Sequence, residues 1–314
     1  MILIAQTVVL PAIIATATVW CASVGVVDRA SADEPLRWKF AVGDVRRFEL
    51  MESLQTSCEL SAKETVASSF QQTIELLWKV EQVAPDGAAT ISQTIPRLRV
   101  HAEIAGTPPV IYDSAAEKEA AGFAAMLAPL GKALRDSPCR LTVTPRGVVK
   151  NVEAPAALTD AIKNSPGAAE LGDLATAEGF KLLMAQAWPT LAEAPGGKGA
   201  MAATEIKIPA LGAVVVERSY RADGTTTVSG KSLARLVPAL ALKIVPDATA
   251  KAKVEVTEQS STGEVLFDAA AGTLVKSTFA LQMQLQATVR DQSYVQRIDR
   301  ASELRRLPEQ AVAR

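Results

Sequence analysis

The chain has 314 residues, room for one large domain or two small ones at roughly 100 to 200 residues each. With 48% apolar and 21% charged residues it carries enough hydrophobic material for a core, which excludes disorder as a description of the whole. A net charge of -1 excludes the basic excess expected of a nucleic-acid partner, and with one His and three Cys a four-ligand metal site would use up the entire supply, so none is expected.

In chain order, the first element is a leader. Met1 to Val27 contains no Lys, Arg, Asp or Glu, and Ala30-Ser31-Ala32 has the small-x-small form of a signal cleavage site. The spacing predicts a signal peptide over 1–32, cleavage after Ala32, and a periplasmic or secreted chain. The alternative is an uncleaved anchor over residues 1–27, since roughly 20 apolar residues span a bilayer. Only in that case is a membrane a partner. Trp20 stands directly before Cys21, where a lipid-attachment signal needs a small residue, so lipidation is not expected. Cleavage leaves Cys58 and Cys139, for which an oxidising compartment makes a disulfide the expectation and two separate buried thiols the alternative.

Residues 36–104 read as strands. Ile74, Leu76, Trp78 and Val80 alternate with Glu75, Lys79 and Glu81, and Pro85-Asp86-Gly87 supplies a hairpin turn. Beyond it Ile91 and Ile95 share one phase whereas Leu98, Val100 and Ile104 share the other, so a bulge is expected at Pro96. The period then changes to that of a helix over 115–135, with Phe123, Met126, Leu127, Leu130 and Leu134 on one face and Pro129 splitting it. A hairpin about Pro145-Arg146-Gly147, a short helix from Pro155 to Lys163 and a third helix over 168–188 complete the middle. The loop 194–199 marks a possible internal boundary within a domain spanning 33–314.

Strand pattern returns after the loop, at 214–220, 225–229, 251–259 and 263–268, with turns at Ala222-Asp223-Gly224 and Ala271-Gly272. From Thr278 to Val289 the residues Phe279, Leu281, Met283 and Leu285 alternate with Ala280, Gln282, Gln284 and Gln286, the mark of an antiparallel sheet with one wet face. A last strand falls near Tyr294 to Asp299, followed by a frayed tail from Ser302. The expected class is α+β: a long curved antiparallel sheet or half-barrel packed against a central helical insert.

Catalytic signatures are missing. No Gly-x-Ser-x-Gly elbow, Ser-x-x-Lys pair, Cys-x-x-Cys or His-Glu-x-x-His occurs, and the segment Gly224 to Ser232 has five residues between its glycines where a phosphate loop needs four. It reads as a β-turn. Arg97, Arg99 and His101 share one strand phase and are weak candidates for binding an anion, against the plainer reading of cross-strand charge pairs. No catalytic residue, metal ligand or cofactor is assigned.

The opening Leu36-Arg37-Trp38-Lys39-Phe40-Ala41-Val42-Gly43-Asp44 and the later Gly263 to Ser277 segment, with Phe267-Asp268, a Gly272 turn and Leu274, resemble a family of uncharacterised exported proteins common in planctomycetes. The resemblance implies export and a β-rich fold, and no activity.

The expected function is therefore an exported, non-catalytic protein whose curved sheet binds an apolar ligand or a partner segment, such as an envelope protein, on the face carrying Phe279, Leu281, Met283 and Leu285. Two alternatives stand beside it: a hydrolase using scattered carboxylates, and a membrane-tethered structural protein of the envelope.

Overall fold

The computed structural model describes residues 34–308 apart from 62–63, 117–119, 165–175, 177–178, 180, 182–183, 186, 195–196, 209–211, 247–252 and 290–291. The signal segment 1–32 and most of the helix expected over 168–188 lie outside the described residues. Alternation of apolar and polar side chains builds the rest. The first strands are β1 (Val45–Ser61), β2 (Glu64–Val83), β3 (Ala89–Ile104), a short β4 (Val110–Asp113), β5 (Cys139–Val143) and β6 (Val149–Glu153). The second group is β7 (Lys198–Ile208), β8 (Gly212–Val228), β9 (Lys231–Val245), β10 (Lys253–Asp268), β11 (Thr273–Val289) and β12 (Gln292–Arg306). All pair antiparallel in one sheet of order β6-β5-β3-β2-β1-β12-β11-β10-β9-β8-β7, with β4 on the outside of β3. Among the described residues no ladder joins β6 to β7, so the sheet is open.

Helical structure is short. A 3-10 segment over Gly122–Leu127 leads into α1 (Ala128–Asp136), and α2 (Ala156–Lys163) comes after β6. Pro129 sits in the first turn of α1, where its missing N–H costs nothing, and this is what splits the expected helix. The expected apolar stripe is corrected here. In the 3-10 segment Ala124 is the buried residue, and Phe123 and Met126 point to solvent, because three residues per turn rotate them away from the sheet. Among the described residues α1 packs on β3 and α2 on α1, so of the α+β expectation the structure shows a large antiparallel sheet with short helices beside it.

Several strands run further than alternation alone indicates. β8 does not turn at Ala222-Asp223-Gly224 but carries a bulge there, with Gly224 at φ 81°. The turn comes later, at Ser229-Gly230, where both residues have positive φ and make a two-residue hairpin into β9. The tail expected from Ser302 begins inside β12, whose last third it supplies and where Ser302 and Leu304 are buried. The bulge at Pro96 is present: Glu75 opposes Arg97 while Leu77 opposes Thr94.

Register places Phe48, Leu54, Leu76, Trp78, Phe279, Leu281, Met283, Leu285, Ile298 and Leu304 on one face, and this face is turned inward. Residues from both wings of the sheet meet there: Trp78 on β2 and Ile91 on β3 share a core cluster with Tyr220 on β8 and Phe267 on β10. The sheet is thus rolled. An arm ahead of β1 ties the roll at one end, since the Trp38 backbone N–H donates to Pro145 C=O (2.7 Å) and that of Lys39 donates to Gly272 C=O (2.9 Å). Those acceptors belong to the β5-β6 and β10-β11 turns, far apart in strand order. Trp38, Phe40, Trp78, Trp188 and Phe267 fill this tied end, with the Trp78 and Trp188 rings stacked at 4.0 Å.

Candidate functional site

The rolled sheet has two faces with different chemistry. Outside, shallow troughs cross the strands between rows of Ser53, Gln55, Gln71, Thr73, Thr262, Ala280, Asp299 and Ala301. They are floored by backbone and are the corrugation of a polar sheet surface.

Inside, the four residues singled out from sequence are covered: Phe279 is 2% exposed, Leu281 1%, Met283 3% and Leu285 0%. Their cover comes from the chain itself. Met283 and Leu285 belong to one cluster with Leu54, Ile298 and Val254 on the central strands and with Ile206, Val214, Val216 and Leu242 on β7, β8 and β9. Polar groups interrupt this interior along two neighbouring rows. Gln72, Glu52, Ser302 and Phe279 stand abreast in one, and Phe70, Leu54, Arg300 and Leu281 in the next. Arg300 forms a salt bridge with Glu52, side chains 3% and 10% exposed, and Gln72 Nε2 donates to the same carboxylate.

Besides its open edges at β6 and β7, the sheet has a break in its pairing. Among the described residues β9 and β10 form ladder pairs only at Ala234–Phe267, Arg235–Leu266 and Leu236–Val265. Continuing that register sets Pro238 against Gly263 and Leu242 against Gln259. Leu242 donates its N–H toward β10, to Gln259 Oε1 at 3.3 Å, so N–H groups of the same parity on β9 point that way. Pro238 shares this parity and has no N–H to give, which ends the ladder one rung past Leu236. Gly263 contributes from the other side: a Cβ there would collide with the Thr278 carbonyl oxygen, so only glycine lets β10 lie this close to β11 and away from β9. Beyond the break Thr257, Glu258, Gln259 and Ser260 are all exposed, although Gln259 belongs to the inward row with buried Met283. A seam thus runs through the sheet beside its apolar interior.

The charged strip on the outer face is self-neutralised. Arg97 forms a bidentate pair with Asp113 (2.6 and 3.1 Å), Arg99 lies 3.5 Å from Glu49, and His101 Nε2 lies 3.4 Å from Glu103. Hydrogen bonds from Arg97 hold the Asp113 carboxyl below its ordinary pKa. Arg97 and Arg99 are thus paired with carboxylates on other strands, and His101 lies beside Glu103 on its own strand.

The expected disulfide is corrected: Cys58 and Cys139 are free and buried. Ladder partners carry Cys139 through Gln93 and Trp78 to the level of Arg46 on β1, twelve positions from Cys58. At about 3.3 Å per residue that is roughly 40 Å along the strand, against a reach of about 7 Å between bridged Cα atoms. Burial pushes both thiols up, Cys139 to about 11, with the Glu59 charge adding to the shift at Cys58. At pH 8 only about one Cys139 in a thousand is then thiolate. We expect a thiol reagent to leave both cysteines unmodified in the folded protein and to label both after denaturation, and reduction to leave the intact mass unchanged. Labelling of either thiol in the native state overturns this placement.

Among the described residues no group of three His, Cys, Asp or Glu could hold a metal, and no helix is long and apolar enough to cross a membrane.

No family model and no curated protein matches the chain. Solved structures show a loose likeness. One is a lipovitellin structure concerned with lipid–protein interactions, 12% identical, covering 88% of this chain and 27% of that one, with a TM-score of 0.45. Another is DynF from the dynemicin biosynthesis pathway of Micromonospora chersina, 7% identical over 90% of this chain and 92% of that one, TM-score 0.20. A third is the LolA superfamily protein NE2245 from Nitrosomonas europaea, 8% identical over 83% and 87%, TM-score 0.15. This chain spans about a quarter of the lipovitellin chain. At these scores the likeness extends to neither ligand nor function.

Proposed function

We propose that the protein is exported through its 1–32 segment and holds an apolar ligand against the inner face of its rolled sheet, without catalysing a reaction on it. The observation that carries this reading is the seam: beneath the inner apolar face neighbouring strands are ladder-paired except past the third rung of β9 and β10, where Gln259 of the inward row is exposed. A sheet serving only as a wall has no use for a strand boundary without backbone pairing, which leaves polar groups to be satisfied by a side chain. The non-catalytic part is supported by the engagement of its buried and half-buried carboxylates, Glu49 with Arg99 and Arg305, Glu52 with Arg300, and Asp113 with Arg97.

A second reading, a structural sheet with no guest, is favoured by the 0–3% exposure of the inner face, since its own side chains already fill it. A guest must therefore displace packing rather than drop into an empty chamber. Native mass spectrometry of the protein taken from exporting cells, joined to titration with the fluorescent fatty acid cis-parinaric acid, separates the two. The expected result is a chain starting at Asp33 with a lipid-sized adduct, or saturable probe uptake by the stripped protein. A bare chain that binds no probe overturns the ligand reading and leaves the structural one.

A further inference from the structure

We infer that the β9-β10 seam is the way into the interior, that the Gln259 side chain latches it, and that it admits an unbranched acyl chain. The inference rests on the ligand reading and names the route and the class of guest. Three features of the seam point to a moving boundary rather than a faulty strand pair. The register of the ladder persists across it, because Leu242 still meets the residue that continued pairing would set opposite, yet the contact is made by a side-chain amide in place of a backbone carbonyl. One side chain thus bridges the space that a backbone hydrogen bond would close, a narrow boundary that suits a slender unbranched chain better than a fused ring.

The break also has a fixed end. Leu236–Val265 is the last rung, and beside it lies the tied end, where Trp38, Trp78, Trp188 and Phe267 pack together. On the free side, β7, β8 and the outer half of β9 are joined to β10 by packing of Ile206, Val214, Val216 and Leu242 against Val254, Met283 and Leu285, with the Leu242–Gln259 hydrogen bond spanning the gap. Side-chain packing without a ladder can part and re-form at little cost in backbone pairing. Parting it uncovers Leu240, Leu242, Met283 and Leu285 together, a continuous apolar strip. Leu240 is already partly exposed there and touches both major clusters.

The test closes and opens the seam separately. Ala241 and Ser260 oppose each other by the continued register, on the outer face, so the pair Ala241→Cys and Ser260→Cys forms a disulfide that draws the strands together. A control staple, Thr227→Cys with Ser232→Cys, bridges paired residues of the β8-β9 hairpin and leaves the seam free. Uptake of cis-parinaric acid is followed by stopped flow. We expect the oxidised seam staple to take up the probe at least about tenfold more slowly than its reduced form, with no change on reducing the control. Gln259→Ala should act in the opposite direction and accelerate uptake several-fold.

Equal uptake rates for the oxidised and reduced seam staple overturn the route while the ligand reading stands. If the staple does not oxidise, an unchanged rate in Gln259→Ala overturns it equally. Failure of the unaltered protein to bind any probe removes the ligand reading and the route with it. Preference for a sterol over the straight-chain acid contradicts the class of guest.

Discussion

Replacing Trp78 by alanine is expected to destabilise the fold by about 3–5 kcal/mol, read as a lower denaturation midpoint at unchanged slope. Trp78 is 2% exposed and sits at the centre of the tied end: its ring stacks on Trp188 at 4.0 Å, tilts against Phe48 at 4.3 Å and meets Trp38 edge-on at 6.3 Å. These neighbours come from the arm, from β1 and from the segment ahead of β7. A cavity there cannot be refilled by one local shift, because its walls belong to three separate parts of the chain. Trp78→Phe keeps a ring in the site and should cost clearly less. A loss under about 1 kcal/mol for the alanine variant would show that the aromatic group does not hold the roll closed.

The same residue shows what alternation makes legible and what it hides. Ile74 to Val80 has a period of two broken only at Leu77, so its strand and the turn at Pro85 are readable from sequence, and Phe279 to Leu285 is plainer still. The meeting of Trp78 with Trp188 is not readable, because the contact depends on how far the whole sheet rolls. Alternation ends β12 too early because its inward row contains Gln296, Arg300 and Ser302, which look like a surface although all three are buried. The helical stripe with Phe123 and Met126 misleads for a different reason. Spacing of three and four fits an α-helix, but Pro129 sets the first turn of the α-helix at Ala128 and leaves a 3-10 segment ahead. Neither Pro238 nor Gly263 is unusual alone. The seam becomes visible only when register sets them side by side. The cysteines teach the converse lesson: compartment and count favour a bond that the register forbids.

The second large effect is expected at the buried ion pair. Glu52→Gln keeps the shape of the side chain but leaves the Arg300 guanidinium, 3% exposed, without its opposing charge, and should cost about 3–5 kcal/mol. Arg300→Met should cost a similar amount by stranding the Glu52 carboxylate, to which Gln72 would still donate. The double variant Glu52→Gln with Arg300→Met removes both charges from an interior already lined by Leu54, Leu281 and Phe279. It should therefore cost well under the sum of the single changes, a coupling of at least about 2 kcal/mol. Denaturant titration of the four proteins measures it, and additive losses would mean that the two charges do not depend on each other. The pair's position gives a reason for keeping such a costly arrangement. Glu52 and Arg300 join the strands that come first and last in the chain and lie side by side in the sheet, whose pairing from Phe48–Arg306 to Glu59–Val295 must be found across almost the whole described chain. A slip of one residue would turn one strand's apolar row outward and carry one charge to the opposite face from its partner. The ion pair penalises that slip more steeply than leucines would, since a leucine row loses area while a separated buried charge loses its compensation. On this argument the double variant folds nearly as stably as the parent. Its loss appears instead as strand misregister, detectable as slower exchange-protected recovery of β1 and β12 amides during refolding.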